Sequence, residues 1–277
     1  PTLGKLRSAA MGIGRSGGGD VYCEHTKPLR HQTNLLVLVR LNQLDLLAHI
    51  NTFLALCSVI YFGVNIVCCI LNTYDLEPAE CNENITAAVC DELQPVTSAS
   101  TFHKLEFGGT FAFAVIETLS ILYSPERQFE SPLLLKVLVF WNMACSLVPA
   151  VLVWVNVEEF EILSHEIEYS NAFCMALVDA LMAIQLLKSH ASKRIVGFFV
   201  PVLLGVVPVC VAVALLVVYN CMGETVDGDK KGETPAHYLE FAFEMLSSGI
   251  TFWFCMDNKL RCNTMCLDIM LAKSEDE

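Results

Sequence analysis

Long apolar segments with very few charges constrain this chain more strongly than any other feature of its sequence. Hydrophobic residues make up 54% of the 277 positions and charged residues only 17%, whereas a soluble domain is about one quarter charged. Several segments stay apolar over about 20 residues or more, the length that a helix needs to cross a hydrocarbon core of about 30 Å. The sequence therefore predicts an all-α, polytopic membrane protein built as one helical bundle.

We expect six transmembrane helices arranged as three hairpins, between a cytoplasmic arm at 1–45 and a cytoplasmic tail at 257–277. The predicted spans are 46–71, 101–123, 132–155, 165–187, 195–220 and 237–256. Segment 20–45 mixes charges with an apolar stripe, which is typical of an interfacial amphipathic helix. Segment 158–161 is acidic and is predicted to be a loop. The fourth span contains several acids and can cross only if its polar face turns into the bundle.

The distribution of Lys and Arg predicts the orientation of the bundle. Most of them lie in the N-terminal arm, in the links at 124–131 and 188–194, and in the C-terminal tail, whereas the opposite loops are acidic and contain only Lys230 and Lys231. Because Lys and Arg near spans stay on the cytoplasmic side, both termini are predicted to be cytoplasmic. The acid-free segment 1–19 fits either a flexible basic tail or a mitochondrial presequence. A net charge of −13 without a basic stripe argues against nucleic acid as a partner.

One asparagine and four cysteines are candidates for modification. Asn84 begins an Asn-x-Thr glycosylation sequon in the first outer loop. Cys81 and Cys90 flank it at a spacing that would allow a small disulfide in an oxidising compartment. Cys262 and Cys266 follow the last span, a position typical of palmitoylated cysteines, although two free thiols are the alternative.

A His-x-x-Glu pattern occurs three times, each time at the outer end of an even-numbered predicted span. The three pairs are His103 and Glu106, His165 and Glu168, and His237 and Glu240. Residues three apart lie on the same face of a helix, so each His and its Glu point the same way. The recurrence favours three related hairpins, either from an old triplication or from convergent selection at equivalent helix starts.

Further acids follow these pairs inside the spans. Glu117 and Asp179 each lie eleven residues after a Glu of the pattern, which is about three helical turns or roughly 16 Å deeper on the same stripe. The third span of this type has Glu244 instead, one turn after Glu240. Since a charge at this depth is costly, we expect Glu117 or Asp179 to face the bundle interior. Lys136 and His49 are the candidate partners.

Three interpretations of the repeated pattern stay open. In the first, each Glu complements a helix N-terminus and each His lies at the wet interface. In the second, His and Glu side chains from neighbouring helices converge on a divalent metal ion, as in carboxylate bundles. In the third, the histidines titrate near neutral pH and the deeper acids form a buried path for protons or ions. We adopt no metal-ligand set on the sequence alone.

Several short motifs, most of them between residues 140 and 260, match those of one known superfamily. They are the acidic 161–166 connection with its His-acid pair, His237 with Glu244 seven residues later, Thr251-Phe252, Asp257-Asn258-Lys259, and Cys90 with the 93–100 stretch. On these motifs the chain resembles the six-span superfamily of damage-regulated autophagy modulators and post-GPI-attachment lipid-remodelling factors. It departs from that superfamily in its basic arm, in Cys81 and in Met245, where Trp is expected.

The functional prediction follows this resemblance, which implies a non-enzymatic protein of the plasma membrane, endomembranes or lysosome. We expect a lipid-associated adaptor or a subunit of a membrane complex, with no cofactor, whose partners are membrane lipids and other membrane proteins or a second copy of the chain. The alternative is a proton- or cation-conducting channel or transporter that uses the intramembrane acids. A third possibility is a membrane-embedded enzyme that acts on lipid headgroups through the three histidines.

Overall fold

The computed structural model describes residues 26–75, 98–125, 132–188, 199–221 and 233–275, in part as backbone only. These ranges contain helices and no strand. The helices are α1 (Thr26–Asp75), α2 (Ser98–Leu122), α3 (Pro132–Val155), α4 (Val157–Lys188), α5 (Phe199–Cys221) and α6 (Glu233–Glu275). The all-α prediction is therefore confirmed for the described ranges.

Four helices are long and apolar enough to cross a membrane. Their apolar segments are Leu36–Ile70 in α1, Phe102–Leu122 in α2, Leu133–Val155 in α3 and Ile162–Leu187 in α4. A shorter apolar segment, Gly205–Val218, lies in α5. By length and composition of these helices, the chain is an integral membrane protein, as the sequence predicted.

The bundle exposes apolar side chains and buries polar ones. Leu133 and Trp154, at the two ends of α3, are 75% and 66% exposed. Asn51, Glu117 and Asp179 are completely buried. Exposed apolar surface on this scale is unfavourable in water, whereas hydrocarbon removes that penalty. The distribution is the one expected of helices that face lipid and enclose a polar interior.

The helix α1 is continuous and does not separate the predicted amphipathic segment from the first span. Its apolar segment begins at Leu36 rather than at position 46. No Gly or Pro interrupts positions 29–62, so nothing in the backbone breaks the helix there. The chain divides into two compact units, 1–42 and 43–277. In the first unit, Leu36, Leu38 and Val39 are exposed apolar side chains.

The prediction of a loop at 158–161 is wrong. The helix α4 begins at Val157, immediately after Asn156, so this acidic segment forms its first turns. Glutamates in the first turn of a helix are stabilised by the positive end of the helix dipole, which explains why the acidic segment is helical. The helix α6 is also longer than predicted. It continues to Glu275, whereas the predicted last span ends at position 256.

Aromatic and aliphatic contacts join the helices of the 43–277 unit. Tyr61 of α1 stacks on Phe113 of α2, with ring centroids 4.5 Å apart and planes inclined by 9°. Val139 of α3, Met182 of α4 and Ile250 of α6 belong to one buried cluster. Helices α1, α2, α3, α4 and α6 thus share an interior, and this interior contains the polar residues of interest.

Gly109 permits the close approach of α1 and α2. A Cβ atom at this position would lie 3.2 Å from Cε2 of Tyr61, a ring already held by its stack on Phe113. We expect Gly109→Val to lower the free energy of unfolding by about 1–3 kcal/mol, the usual cost of overpacking. Thermal unfolding in detergent measures the effect. Gly63→Val is the matched control, because nothing lies within 4 Å of a Cβ there; equal stability of the two variants would contradict the contact.

Candidate functional site

Three histidines from three helices meet at one end of the bundle. His103, His165 and His237 lie near the N-terminal ends of α2, α4 and α6, and all three side chains are buried. The ring centroids of His103 and His165 are 5.5 Å apart, those of His165 and His237 are 4.9 Å apart, and those of His103 and His237 are 6.2 Å apart. The two Nε2 atoms of His165 and His237 are separated by 3.4 Å.

The glutamates one turn further along each helix lie against these rings. Nε2 of His237 is 3.8 Å from Oε1 of Glu106 on another helix, and Nδ1 of His165 is 3.9 Å from Oε2 of Glu168. Two sets of side chains each place one potential ligand atom per residue within 4.8 Å of one another. The sets are His103, Glu106, His165 and His237, and His165, Glu168 and Glu240. We call these six residues the His–Glu cluster.

Aromatic rings enclose the His–Glu cluster. Phe102 meets His237 edge-on at 5.9 Å, and Phe107 lies 5.0 Å from His165 between ring centroids. Tyr169 stacks on His165 at 5.3 Å. Such a shell fixes the orientation of the imidazoles and excludes water, so electrostatic interactions among them are screened less than in water.

A second polar layer lies one turn below the His–Glu cluster. Thr110 Oγ1 of α2 donates a hydrogen bond of 2.7 Å to Oε1 of Glu244 on α6. Glu168, Glu240 and Glu244 line a small cavity of about 20 Å³ together with Thr110. A space of this size holds about one water molecule.

The third layer contains Glu117 and Asp179, both completely buried. Nδ2 of Asn142 donates to Oε2 of Glu117 at 3.0 Å, and Nδ2 of Asn171 donates to Oδ1 of Asn142 at 2.7 Å. Ser247 donates a hydrogen bond to Asp179. Both acids face the bundle interior, as the cost of a charge in lipid leads one to expect.

Amides and hydroxyls continue the polar interior toward the opposite end of the bundle. Nδ2 of Asn258 donates to Oδ1 of Asn51 at 3.2 Å, and the Ser124 hydroxyl donates to Oδ1 of Asn258 at 3.2 Å. We call the whole series the polar column. It comprises the His–Glu cluster, Glu244, Glu117, Asp179, Asn51 and Asn258.

The hydrogen bonds of the second and third layers connect four helices in a ring. Thr110 to Glu244 joins α2 with α6, Ser247 to Asp179 joins α6 with α4, Asn171 to Asn142 joins α4 with α3, and Asn142 to Glu117 joins α3 with α2. Polar groups that cannot reach water stabilise helix association by finding partners on neighbouring helices. The column therefore contributes to how these helices pack.

The buried acids of the column have no buried Lys or Arg side chain beside them among the described residues. None of the Lys and Arg side chains that the structure describes is buried. Both expected partners prove wrong: Lys136 lies on the exposed surface, and the side chain of His49 is 78% exposed beside Asp45. The Lys104 ammonium lies over the ring of Trp154, 5.8 Å from its centroid. Among the residues that the structure describes, only protons and histidines are therefore placed to balance the charge of the column where its carboxyl groups ionise, unless a cation binds there.

The predicted modification sites Cys81, Asn84 and Cys90 lie outside the described residues, so the disulfide and the glycosylation stay predictions. Cys262 is buried beside Leu44 and Ala48, and burial raises the pKa of its thiol to about 11. Cys266 is partly buried at the edge of the same cluster. Acylation of Cys262 would require this helix contact to open, and lipidation of either thiol stays a prediction.

Sequence reasoning found the acids and histidines but missed the uncharged polar residues that hold them. Thr110, Asn142, Asn171 and Ser247 are all buried. Single Ser, Thr and Asn residues are common in membrane helices, so residue type alone does not distinguish these four from the other Ser, Thr and Asn residues of the sequence. Three of them, Thr110, Asn171 and Ser247, lie three or four residues after an acid of the column, which is a signal in the sequence, whereas the helix of Asn142 contains no acid.

Comparison with known proteins gives no relative. No family model, no curated protein and no solved structure matches the chain. The resemblance to the superfamily of autophagy modulators and lipid-remodelling factors therefore stays a prediction.

Asn142 offers a direct test of the polar column. Its side chain donates to Glu117 and accepts from Asn171, so Asn142→Leu leaves two buried polar groups without this partner. We expect the free energy of unfolding to fall by about 1–2 kcal/mol. Thermal unfolding in detergent measures the change. Asn263→Leu, at an exposed position of α6, should have little effect. A stable Asn142→Leu protein would argue against the hydrogen-bonded layer.

Proposed function

We propose that this protein is a six-span membrane protein, with both termini cytoplasmic, that conducts or transports protons along the polar column. One observation carries the proposal. Apart from Asp257, which pairs with the Arg261 side chain at 2.8 Å, six described carboxyl groups are buried inside the bundle, and no described Lys or Arg side chain is buried with them. They are Glu106, Glu117, Glu168, Asp179, Glu240 and Glu244. Ionisable groups kept at this depth without a structural countercharge are typical of ion and proton pathways.

The positions of Glu240 and Glu244 support six spans rather than four. Both acids lower the mean hydropathy of the 237–256 segment. Because both side chains are buried inside the bundle, they do not contact lipid, and the segment can still cross the membrane. The helix α5 contains 23 residues and is therefore about 34 Å long at 1.5 Å per residue, enough to cross the hydrocarbon core. With α5 and α6 included, the chain forms three hairpins, and the excess of Lys and Arg in one set of links supports cytoplasmic termini.

The dimensions of the column favour protons over hydrated ions. The cavity between Glu168, Glu240 and Glu244 holds about one water molecule, which is too little for an ion with its hydration shell. Carboxyl, imidazole and hydroxyl groups that nearly touch can instead pass a proton by exchanging hydrogen bonds. Protons can therefore move without an open pore.

The order of groups suggests the route. A proton enters among the histidines of the His–Glu cluster and passes to Glu244, which Thr110 holds in place. Deeper in the bundle lie Glu117, which Asn142 holds by a hydrogen bond, and Asp179, which Ser247 holds in the same way. The column then continues to the amides of Asn51 and Asn258.

The adaptor function expected from the sequence stays a prediction. Lipid and protein partners would contact the exposed apolar surface, but every membrane bundle has such a surface, and no described feature of it indicates one partner. The buried column is the feature that an adaptor has no need of. For this reason we place the adaptor second.

Reconstitution into liposomes tests the proposed function. We expect a pH-sensitive dye to report proton flux driven by a membrane potential. Glu117→Gln and Asp179→Asn should each reduce the flux by about tenfold or more, the change that about 1.4 kcal/mol of lost stabilisation in the rate-limiting step produces.

Glu166→Gln is the matched control for this experiment. Glu166 lies on α4 between His165 and the column acid Glu168, but its side chain is exposed. Flux through this variant should equal that of the parent protein. Absence of flux above that of protein-free liposomes, or equal flux in Glu117→Gln, Asp179→Asn and Glu166→Gln, would contradict the proposal.

A further inference from the structure

The His–Glu cluster has the composition of a transition-metal site. Three imidazoles and one carboxylate, from His103, His165, His237 and Glu106, bring one potential ligand atom each within 4.8 Å of the others. Imidazole nitrogen is a preferred ligand of Zn²⁺ and its neighbours, whereas Ca²⁺ and Mg²⁺ prefer oxygen ligands. The ligand set therefore points to a borderline divalent ion.

The distances within the cluster fit a tetrahedral ion. Zn²⁺ binds imidazole nitrogen at about 2.0–2.1 Å, which places two ligands of a tetrahedron about 3.3–3.4 Å apart. The Nε2 atoms of His165 and His237 are separated by 3.4 Å. Nε2 of His237 lies 3.8 Å from Oε1 of Glu106, so this pair needs to close by about half an ångström.

The surroundings of His165 supply what a metal-bound histidine needs. Its Nε2 faces His237, while its Nδ1 faces the carboxylate of Glu168 at 3.9 Å. A carboxylate on the second ring nitrogen fixes the tautomer and the ring orientation of a metal ligand. Phe107 and Tyr169 pack on the same ring and restrict it further.

Glu240 provides an independent indication that a cation belongs here. Its side chain is 2% exposed, and neither of its carboxylate oxygens accepts a hydrogen bond. It lies beside His165 and Glu168 within the His–Glu cluster. A buried carboxylate without donors is unfavourable unless a positive charge lies close by.

We infer that the His–Glu cluster binds one divalent transition-metal ion of the Zn²⁺ class. His103, His165, His237 and Glu106 are its ligands, and Glu168 orients His165. The two positive charges of the ion are balanced by Glu106 and by one negative charge that Glu168 and Glu240 share. The inference goes beyond the proposed function and does not depend on it, because the ion would bind at one end of the polar column whether or not the column conducts protons.

Metal titration of the full chain tests the inference. Protein purified in detergent and stripped by a chelator should bind one Zn²⁺ per chain in calorimetry. Co²⁺ should give the strong visible absorption of a tetrahedral site, and excess Ca²⁺ should not displace either ion. Exchange of a ligand by His165→Asn or His237→Asn should weaken Zn²⁺ binding by more than about 100-fold, and Glu168→Gln by about 10–100-fold.

His49→Asn is the control variant, since His49 is exposed and lies outside the cluster. Its affinity should equal that of the parent chain. X-ray absorption at the zinc edge of the parent protein is a second test, which does not depend on the folding of a cluster variant. The spectrum should show imidazole ligands. The inference is overturned by an absence of stoichiometric metal, by undiminished binding in His237→Asn, or by coordination through oxygen alone. Proton flux with no metal binding would overturn this inference alone, and metal binding without flux would overturn only the proposed function.

Discussion

Carboxyl groups buried in a bundle that faces hydrocarbon cost free energy, and for three of them this protein meets that cost with hydrogen bonds from neighbouring helices. Glu244 receives its hydrogen bond from α2, Asp179 from α6 and Glu117 from α3. Each of these three hydrogen bonds therefore also joins two helices. The same residues that make the interior unusual for a membrane protein determine how α2, α3, α4 and α6 pack.

The sequence predicted the four long apolar helices because a span need only be long and apolar, a property that each segment has alone. It also predicted that Glu117 or Asp179 faces inward, and both are completely buried. It did not predict that three His-x-x-Glu pairs form a single cluster, because their meeting depends on how distant hairpins pack. The prediction of a loop at 158–161 was wrong for a local reason, because glutamates favour the first turn of a helix as much as a loop.

Proton movement and metal binding use the same chemical groups and would influence one another. An imidazole or carboxylate that binds a metal must first lose its proton, so acid weakens metal binding. An ion held by His165, His237 and Glu106 would also occupy one end of the polar column. The two proposals are compatible with a protein whose proton pathway responds to metal, and each can fail without the other.

The central claim is that the acids of the column lie inside the bundle and that none of the described Lys or Arg side chains is buried beside them. A cryo-electron microscopy structure in lipid nanodiscs, covering the connecting segments as well, tests it most directly. The account predicts that the side chains of Glu117 and Asp179 face the interior, with no Lys or Arg nitrogen within salt-bridge distance, and that the three histidines meet at one end. An acid that contacts lipid, or a Lys or Arg from a connecting segment paired with either acid, would contradict it.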